Sequence, residues 1–453
     1  MIGSIFVFAR AVRGRLSDLT RRLPVLAIRD FRLLLADRVL APAAFAFSLV
    51  GVSFAVLNAT GGSTSALSYV LAAQIAPSVV FVLLGGVIAD RIAPQRVIVA
   101  GNAMIALGEG TFGILVLAGH PALWLMIALE CVTGTGMALF YPASTALLPR
   151  IVPPGSMQQA SAVSRLAMNA AQMGGAVLAG FCVAAIGPGW ALAACGTGML
   201  GTLPLMLALR VGPAERSQDA SMLRDLREGW SEFRSRPWIW VTTLQYAVVM
   251  MSWYGAFTVL GPAVARAHLG GPAAWGAITG AESLGLIAGG VASLRFTVER
   301  PIRFVVLSGA AIALAPLALA MLWPLPLICT EAFVVGIVME IMMVQWTVAL
   351  ATNVRPDILA RVSSYDALGV VLAMPAGALI AGPLAAWTSV AHTQYGAAAL
   401  IVAASALAFI PRTVRQFRNG QDGPEATEPV SARPDRIEPV PADQAARALA
   451  SSG

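Results

Sequence analysis

Charge is what this chain has least of. Only 12% of its 453 residues are Asp, Glu, Lys or Arg, against roughly a quarter in a soluble domain. Lysine is missing altogether, so all 30 basic residues are Arg. With 58% hydrophobic residues, the deficit excludes a string of soluble domains and indicates an integral membrane protein. The net charge of +7 carries no nucleic-acid signal, because the Arg are scattered among loops. No nucleic-acid partner is expected. Cysteine is scarce too. Cys131, Cys182, Cys195 and Cys329 each fall inside an apolar run, with no CxxC and no neighbouring His. That pattern excludes a metal centre and leaves small packing residues. No G-x-x-x-x-G-K-[ST] occurs, so no nucleotide cofactor is expected and an ion gradient, with the proton as coupling ion, has to supply energy. No H-E-x-x-H and no nucleophile–base pair occurs either, so the chain is not expected to be an enzyme. The start, MIGSIFVFARAVRGR, has an apolar stretch too short for a cleavable signal. It reads as a basic cytoplasmic leader.

What the chain has is long apolar runs. Twelve stand out, at 39–58, 67–89, 97–118, 122–143, 160–186, 190–209, 239–262, 273–294, 304–323, 326–349, 363–388 and 396–411. Lipid offers the backbone no hydrogen-bond partners, so runs of about 20 residues are helices and not barrel strands. The Arg alternate from gap to gap. One set of gaps holds Arg91 and Arg96, Arg150, Arg210 to Arg236, Arg295 to Arg303, and Arg355 and Arg361; the opposite set holds only Arg266 and all three His. Both termini are therefore expected on the cytoplasmic side of a multi-pass protein of the inner (plasma) membrane. The expected organisation is a leader over 1–38, a six-helix bundle over 39–209 and a cytoplasmic linker with an amphipathic helix over 210–238. A second bundle follows over 239–411, then a disordered tail over 412–453.

The two halves repeat. After a shift of about 200 residues, GGAVLAG from Gly174 to Gly180 lies over AGALIAG from Ala376 to Gly382, and Thr145, Pro154 and Ser161 meet Thr347, Pro356 and Ser363. Parallel six-span repeats are an architecture of secondary transporters. The stretch GGVIADRIAPQR, Gly85 to Arg96, resembles the signature loop of the major facilitator superfamily, G-x-x-x-D-R-x-G-R-R. Gly86, Asp90 and Arg91 match. Ala93 and Pro94 depart from it, and Arg96 restores a basic residue. IRDFRLLLADRVL, FYPASTALLPRIVPPGSMQQASAVSR, LREGWSEFRSRPWIWV and VRPDILARVSSYDALG resemble the branch of enterobactin-type siderophore exporters and drug–proton antiporters.

The resemblance implies an all-α membrane fold of twelve helices in two pseudo-symmetric bundles, working by alternating access. It also implies that Asp90 sits at the cytoplasmic mouth, meeting Arg91 and the N-terminus of span 11. A helix N-terminus favours a carboxylate, and Ser363 and Ser364 are suitable N-caps. Gly86, Asp90, Arg91, Arg96 and Ser363 are thus the expected gate. A plain positive-inside turn explains the same Arg. Two departures weaken the antiporter likeness. Ala176 stands where a span-5 Pro would kink the helix, and Glu130 stands four residues before Gly134 where relatives carry Arg.

Four carboxylates fall near the membrane midplane: Glu109, Glu130, Glu282 and Glu340. A charge there costs about 2.5–3.5 kcal/mol on insertion scales, so each is a proton-coupling candidate or a neutral group satisfied locally. Glu109 lies on a span expected to be peripheral, and Glu331 is expected to be solvated near the outer end. Arg165 either snorkels to the surface or pairs with a Glu. Gln245, Trp253, Tyr254 and Trp346 are the substrate-binding candidates, since rings beside carboxylates suit flat or cationic ligands; rings also serve as interface anchors, the reading given to Trp238 and Trp240. The function expected is proton-coupled export of a small amphipathic molecule by a monomer in the bilayer, with nutrient uptake as the alternative and a non-transporting sensor behind it.

Overall fold

A computed structural model describes residues 24–417 apart from 90–92, 120, 210–229, 294, 296 and 297. Twelve long helical stretches follow one another: α1 Arg29–Ala59, α2 Thr64–Ala89, α3 Pro94–Ala118, α4 Leu123–Ile151, α5 Met157–Ile186, α6 Pro188–Leu207, α7 Pro237–Leu269, α8 Pro272–Ser293, α9 Pro301–Ala320, α10 Leu325–Asn353, α11 Pro356–Trp387 and α12 Val390–Ala408. Ten of them are long and apolar enough, over their described residues, to cross a membrane; α2 is a 26-residue apolar helix, and α8 is diluted by its Gly, Ser and Glu content.

Proline at the first turn opens α3, α6, α7, α9, α10 and α11, where its missing N–H is no loss and its φ is already helical. The turns α1–α2 and α7–α8 each use a Gly pair at positive φ, Gly61–Gly62 and Gly270–Gly271, which only glycine adopts without strain. α7 widens into π turns at Tyr254–Val259 and Ala265–Leu269. α9 breaks between Ala311 and Leu314, where Pro316 cannot donate back into the previous turn.

Two boundaries differ from those read off the sequence. α1 starts at Arg29, ten residues inside the expected leader, because Phe31 and Leu34 are buried and carry the apolar face back past the charged pair Asp37–Arg38. α11 starts at Pro356 with Arg355 at its N-cap. Ser363 and Ser364 therefore lie two turns inside the helix and cap nothing, because a proline at the first position sets the start earlier. Of the linker, residues 230–235 are helical; most of the amphipathic helix and the tail beyond Phe417 lie outside the described residues.

The repeat is visible in the packing. α1 packs on α5 and α6 as α7 packs on α11 and α12; α3 meets α4 and α6 as α9 meets α10 and α12; α2 meets α4 as α8 meets α10. The aligned stretches GGAVLAG and AGALIAG do matching work. Gly175 lies against the Ala43 carbonyl of α1, and Gly377 against the Met251 carbonyl of α7, each inside its own bundle. Gly180 touches Gly276 of α8, and Gly382 touches the Thr64 carbonyl of α2, each across the two bundles. A side chain at these positions would hold the backbones apart.

The bundles meet along α2–α11 and α5–α8. These contacts gather at the Arg-poor end. Thr64 donates to the Gly382 carbonyl at 3.2 Å, the Gly382 N–H donates to Ser68 at 2.7 Å, and Arg266 donates to the Leu57 carbonyl at 2.8 Å. Two apolar clusters there draw on both bundles: Val56, Leu67 and Leu71 with Leu260 and Ala381, and Phe54 and Val183 with Phe257 and Trp275. Among the described residues each apolar cluster at the Arg-rich end belongs to one bundle, around Phe31 and Leu147 in the first and around Trp238 and Ile302 in the second. The described contacts between the bundles thus gather at the Arg-poor end.

Candidate functional site

A cleft of about 480 Å3 lies between α5, α8 and α10. Glu340 of α10, at the middle of its helix, and Arg165 of α5 face each other across it at 3.8 Å. Of the two readings open for Arg165, the structure shows pairing: its side chain is 72% exposed and reaches a Glu340 side chain only 16% exposed. The pair bridges the two bundles.

The other midplane carboxyls are packed within bundles. Glu109 of α3 accepts from Ser48 of α1 at 2.6 Å, and Glu130 of α4 accepts from Gln74 of α2 at 2.6 Å. Both are fully buried, and each keeps one oxygen, Glu109 Oε2 and Glu130 Oε1, without a hydrogen-bond partner. The two lie within electrostatic reach of each other, and Tyr254 lies within reach of Glu130. Glu109 thus faces the interior of the first bundle. The second bundle repeats the arrangement with a change. Gly134 packs on the carbonyl of Gln74, and Gly336 packs on the carbonyl of Glu282, so Glu282 stands where the first bundle has an amide. Its electrostatic neighbour is Glu331. Glu331 was expected to be solvated; it is buried, with neither oxygen partnered. The outer seal covers the stretch of α10 that position alone assigns to solvent.

The four substrate candidates do not converge. Gln245 is buried and donates to Ser405 of α12 at 3.0 Å. Trp253 stacks on Phe257 at 5.4 Å. Tyr254 is buried in the Arg-poor seam. Trp346 donates to Asp366 of α11 at 2.9 Å, and Asp366 also accepts from Thr243 at 2.6 Å. Trp238, expected as an interface anchor, is buried between Trp346 and Phe417, because the segment after Arg412 folds back over α7. Trp240 is exposed. Of the gate candidates, Gly86 lies in helical α2, Arg96 is exposed on α3 and Ser363 is half-buried in α11. Asp90 and Arg91 lie outside the described residues.

Two polar sites were not foreseen. Asp37 and Arg38 are buried in α1. Asn102 bridges Asp37 at 3.2 Å and Thr202 at 2.7 Å, while Arg38 donates to the Ser144 carbonyl at 2.9 Å. The other is Asp366 with Thr243 and Trp346. A lone carboxylate in an apolar run was signal enough for Asp366; its nearness to the expected start of span 11 hid it. Asp37 was hidden by placing the start of span 1 at residue 39.

Two six-helix bundles related by a parallel repeat, with a charged cleft between them, define a secondary transporter and not an enzyme. The chain belongs to the Major Facilitator Superfamily, whose sequence pattern matches residues 39–365. It is similar to the enterobactin exporter EntS of Escherichia coli O1:K1, 25% identical over 349 residues that cover 76% of this chain and 82% of the relative. The EntS of Shigella dysenteriae serotype 1 is 24% identical over the same span. Among solved structures it is similar to the nucleoside transporter NupG, with a TM-score of 0.66 at 10% identity, covering 85% of this chain and 100% of that one. A structure on substrate recognition in proton-dependent oligopeptide transporters gives a TM-score of 0.64 at 13% identity, covering 86% and 99%. These likenesses show the fold.

Proposed function

We propose that this transporter exports a small amphipathic molecule in exchange for protons. The observation that carries the reading is Glu340, a sheltered carboxylate in a cleft lined from the Arg-rich half of α5, α8 and α10, while the described contacts between the bundles gather at the Arg-poor end. By the positive-inside rule the Arg-rich end is cytoplasmic, so in this reading the cleft collects a ligand from inside the cell. Rocking of the bundles about α2–α11 and α5–α8 would part the seam at Thr64, Ser68 and Gly382 and close the cleft. A carboxyl exposed first to one side and then to the other exchanges ligand for proton, because protonation removes the charge and the acceptor that held the ligand. Glu109, Glu130 and Glu282 are further proton carriers in this scheme. Each unpartnered oxygen in the first bundle has room in its hydrogen-bond inventory for a proton. The similarity to enterobactin exporters supports the direction, and a bacterial inner membrane supports the setting. Asp90, Arg91 and Arg96 gate the cytoplasmic mouth, and the protein works as a monomer with both termini inside.

The test is uptake of a fluorescent cationic dye into everted membrane vesicles under an imposed pH gradient. Wild-type protein is expected to accumulate dye and Glu340→Gln to lose that accumulation. Uptake by Glu340→Gln equal to wild type removes Glu340 from coupling. Transport that runs with the proton instead of against it overturns export by exchange.

A further inference from the structure

The cleft carries information about its ligand. Its two charged groups are unequally placed. Arg165 is 72% exposed, so its guanidinium keeps most of its water; Glu340 is 16% exposed and has lost most of its own. At 3.8 Å the two attract each other without a hydrogen bond. The exposed partner is therefore held weakly. The sheltered carboxylate is the under-satisfied one, and a cation seated directly on it gains most. The remaining walls are mostly aliphatic, with Leu166, Ile287 and Val344 among them and Asn169, Ser293 and Thr347 as the neutral polar members, and no aromatic ring is among the described residues that line the space. The rings expected to bind ligand, Trp253, Tyr254 and Trp346, are engaged elsewhere.

From this we infer that the cleft takes an amphipathic organic cation with an aliphatic body, and that Arg165 is a tethered competitor occupying the cation's place on Glu340. Seating the ligand displaces the guanidinium into the solvent it already half occupies. The ligand's apolar body replaces water along α8 and α10, which the small Arg165 head does not do. Release follows when Glu340 takes a proton, since neither cation then has a charge to hold. Arg165 thus biases the site: displacing it costs any ligand up to about five-fold, which a cation recovers on Glu340 and a neutral amphipath does not. An anionic ligand would need the reverse geometry, a sheltered Arg and an exposed Glu. The inference rests on the transport reading above and narrows its substrate class.

Binding of tetrabutylammonium, with hexanesulfonate as the anionic counterpart, to the purified full-length protein in nanodiscs tests it without any gradient. Wild type, Arg165→Gln and Glu340→Gln are compared at one neutral pH by calorimetry. Arg165 is exposed and Glu340→Gln is isosteric, so both variants should fold. The expected result is tetrabutylammonium binding that tightens in Arg165→Gln by up to about five-fold, the ceiling for an exposed pair. In Glu340→Gln it weakens by about ten-fold or more. Weaker or unchanged binding in Arg165→Gln overturns the inference. So does hexanesulfonate binding that Arg165→Gln abolishes, which would assign an anion site. Failure of both probes while dye still accumulates in everted vesicles sinks this inference alone; failure of accumulation sinks the export reading with it.

Discussion

Gly180 on α5 and Gly276 on α8 touch backbone to backbone: a Cβ built on either stands 2.8 Å from the Cα of the other. The contact crosses the two bundles at the Arg-poor end. The seal there depends on two residues having no side chain.

Gly180→Leu should therefore disfavour the sealed state and leave each bundle intact. Overpacking a tight contact costs about 1–3 kcal/mol, enough to shift a two-state balance by about five- to a hundred-fold. Ala66→Cys, at a position buried in the seam, should label slowly with a membrane-impermeant maleimide from outside when Gly180 is kept and fast in the Gly180→Leu background. Equal labelling rates would mean that the seam is not the moving part.

The Ser68–Gly382 hydrogen bond, 2.7 Å long, is a second lever on the same equilibrium. Ser68→Ala leaves the buried Gly382 N–H without its acceptor, at about 1–3 kcal/mol. Transport should slow or speed according to which gate limits turnover, and the outward-open fraction should rise in either case. Distance measurements between spin labels across the seam would show a longer population; an unchanged distribution would remove the hydrogen bond from the gate.

Glu130 and Gln74 make a buried carboxyl–amide contact at 2.6 Å. Glu130→Gln keeps the shape and removes the proton site. Thermal unfolding in detergent should stay close to wild type, while the pH dependence of dye accumulation flattens. Glu130→Ala should differ by losing stability as well, since it opens a cavity and strands the Gln74 amide. A pH profile unchanged in Glu130→Gln would reduce Glu130 to a packing role.

Asp366 accepts from Thr243 and from the Trp346 indole. Asp366→Ala should lower the melting temperature by removing two partly buried hydrogen bonds, each worth about 0.5–1.5 kcal/mol and more where a donor is left bare. Asp366→Asn should retain most of the stability, because its carbonyl still accepts one of them. If both variants melt with wild type, the cluster contributes nothing to holding α7, α10 and α11 together.

Much of the fold was legible because it follows from solvent and period alone. Apolar runs of helical length and the GGAVLAG–AGALIAG match specify twelve helices and their repeat. None of these needs a partner to be recognised. Helix starts were less legible where burial carried a helix past a charge, as at Arg29, or where proline moved a start upstream, as at Pro356. The site was legible as a set of residue types and not as a set of neighbours. Charge inside an apolar run marked Glu109, Glu130, Glu282 and Glu340 from composition. Only packing decided that Glu109 and Glu130 receive Ser48 and Gln74, that Glu331 is covered by the seam, and that Gln245 and Trp346 turn to Ser405 and Asp366. Arg165 is the clearest case. Its sequence position allowed the surface or a carboxylate, and the packing of α5 and α10 on α8 brings it to Glu340. Periodicity and hydropathy are properties of one helix in its solvent. Which face of that helix meets which neighbour is a property of two bundles packed together, and the sequence of neither helix contains it.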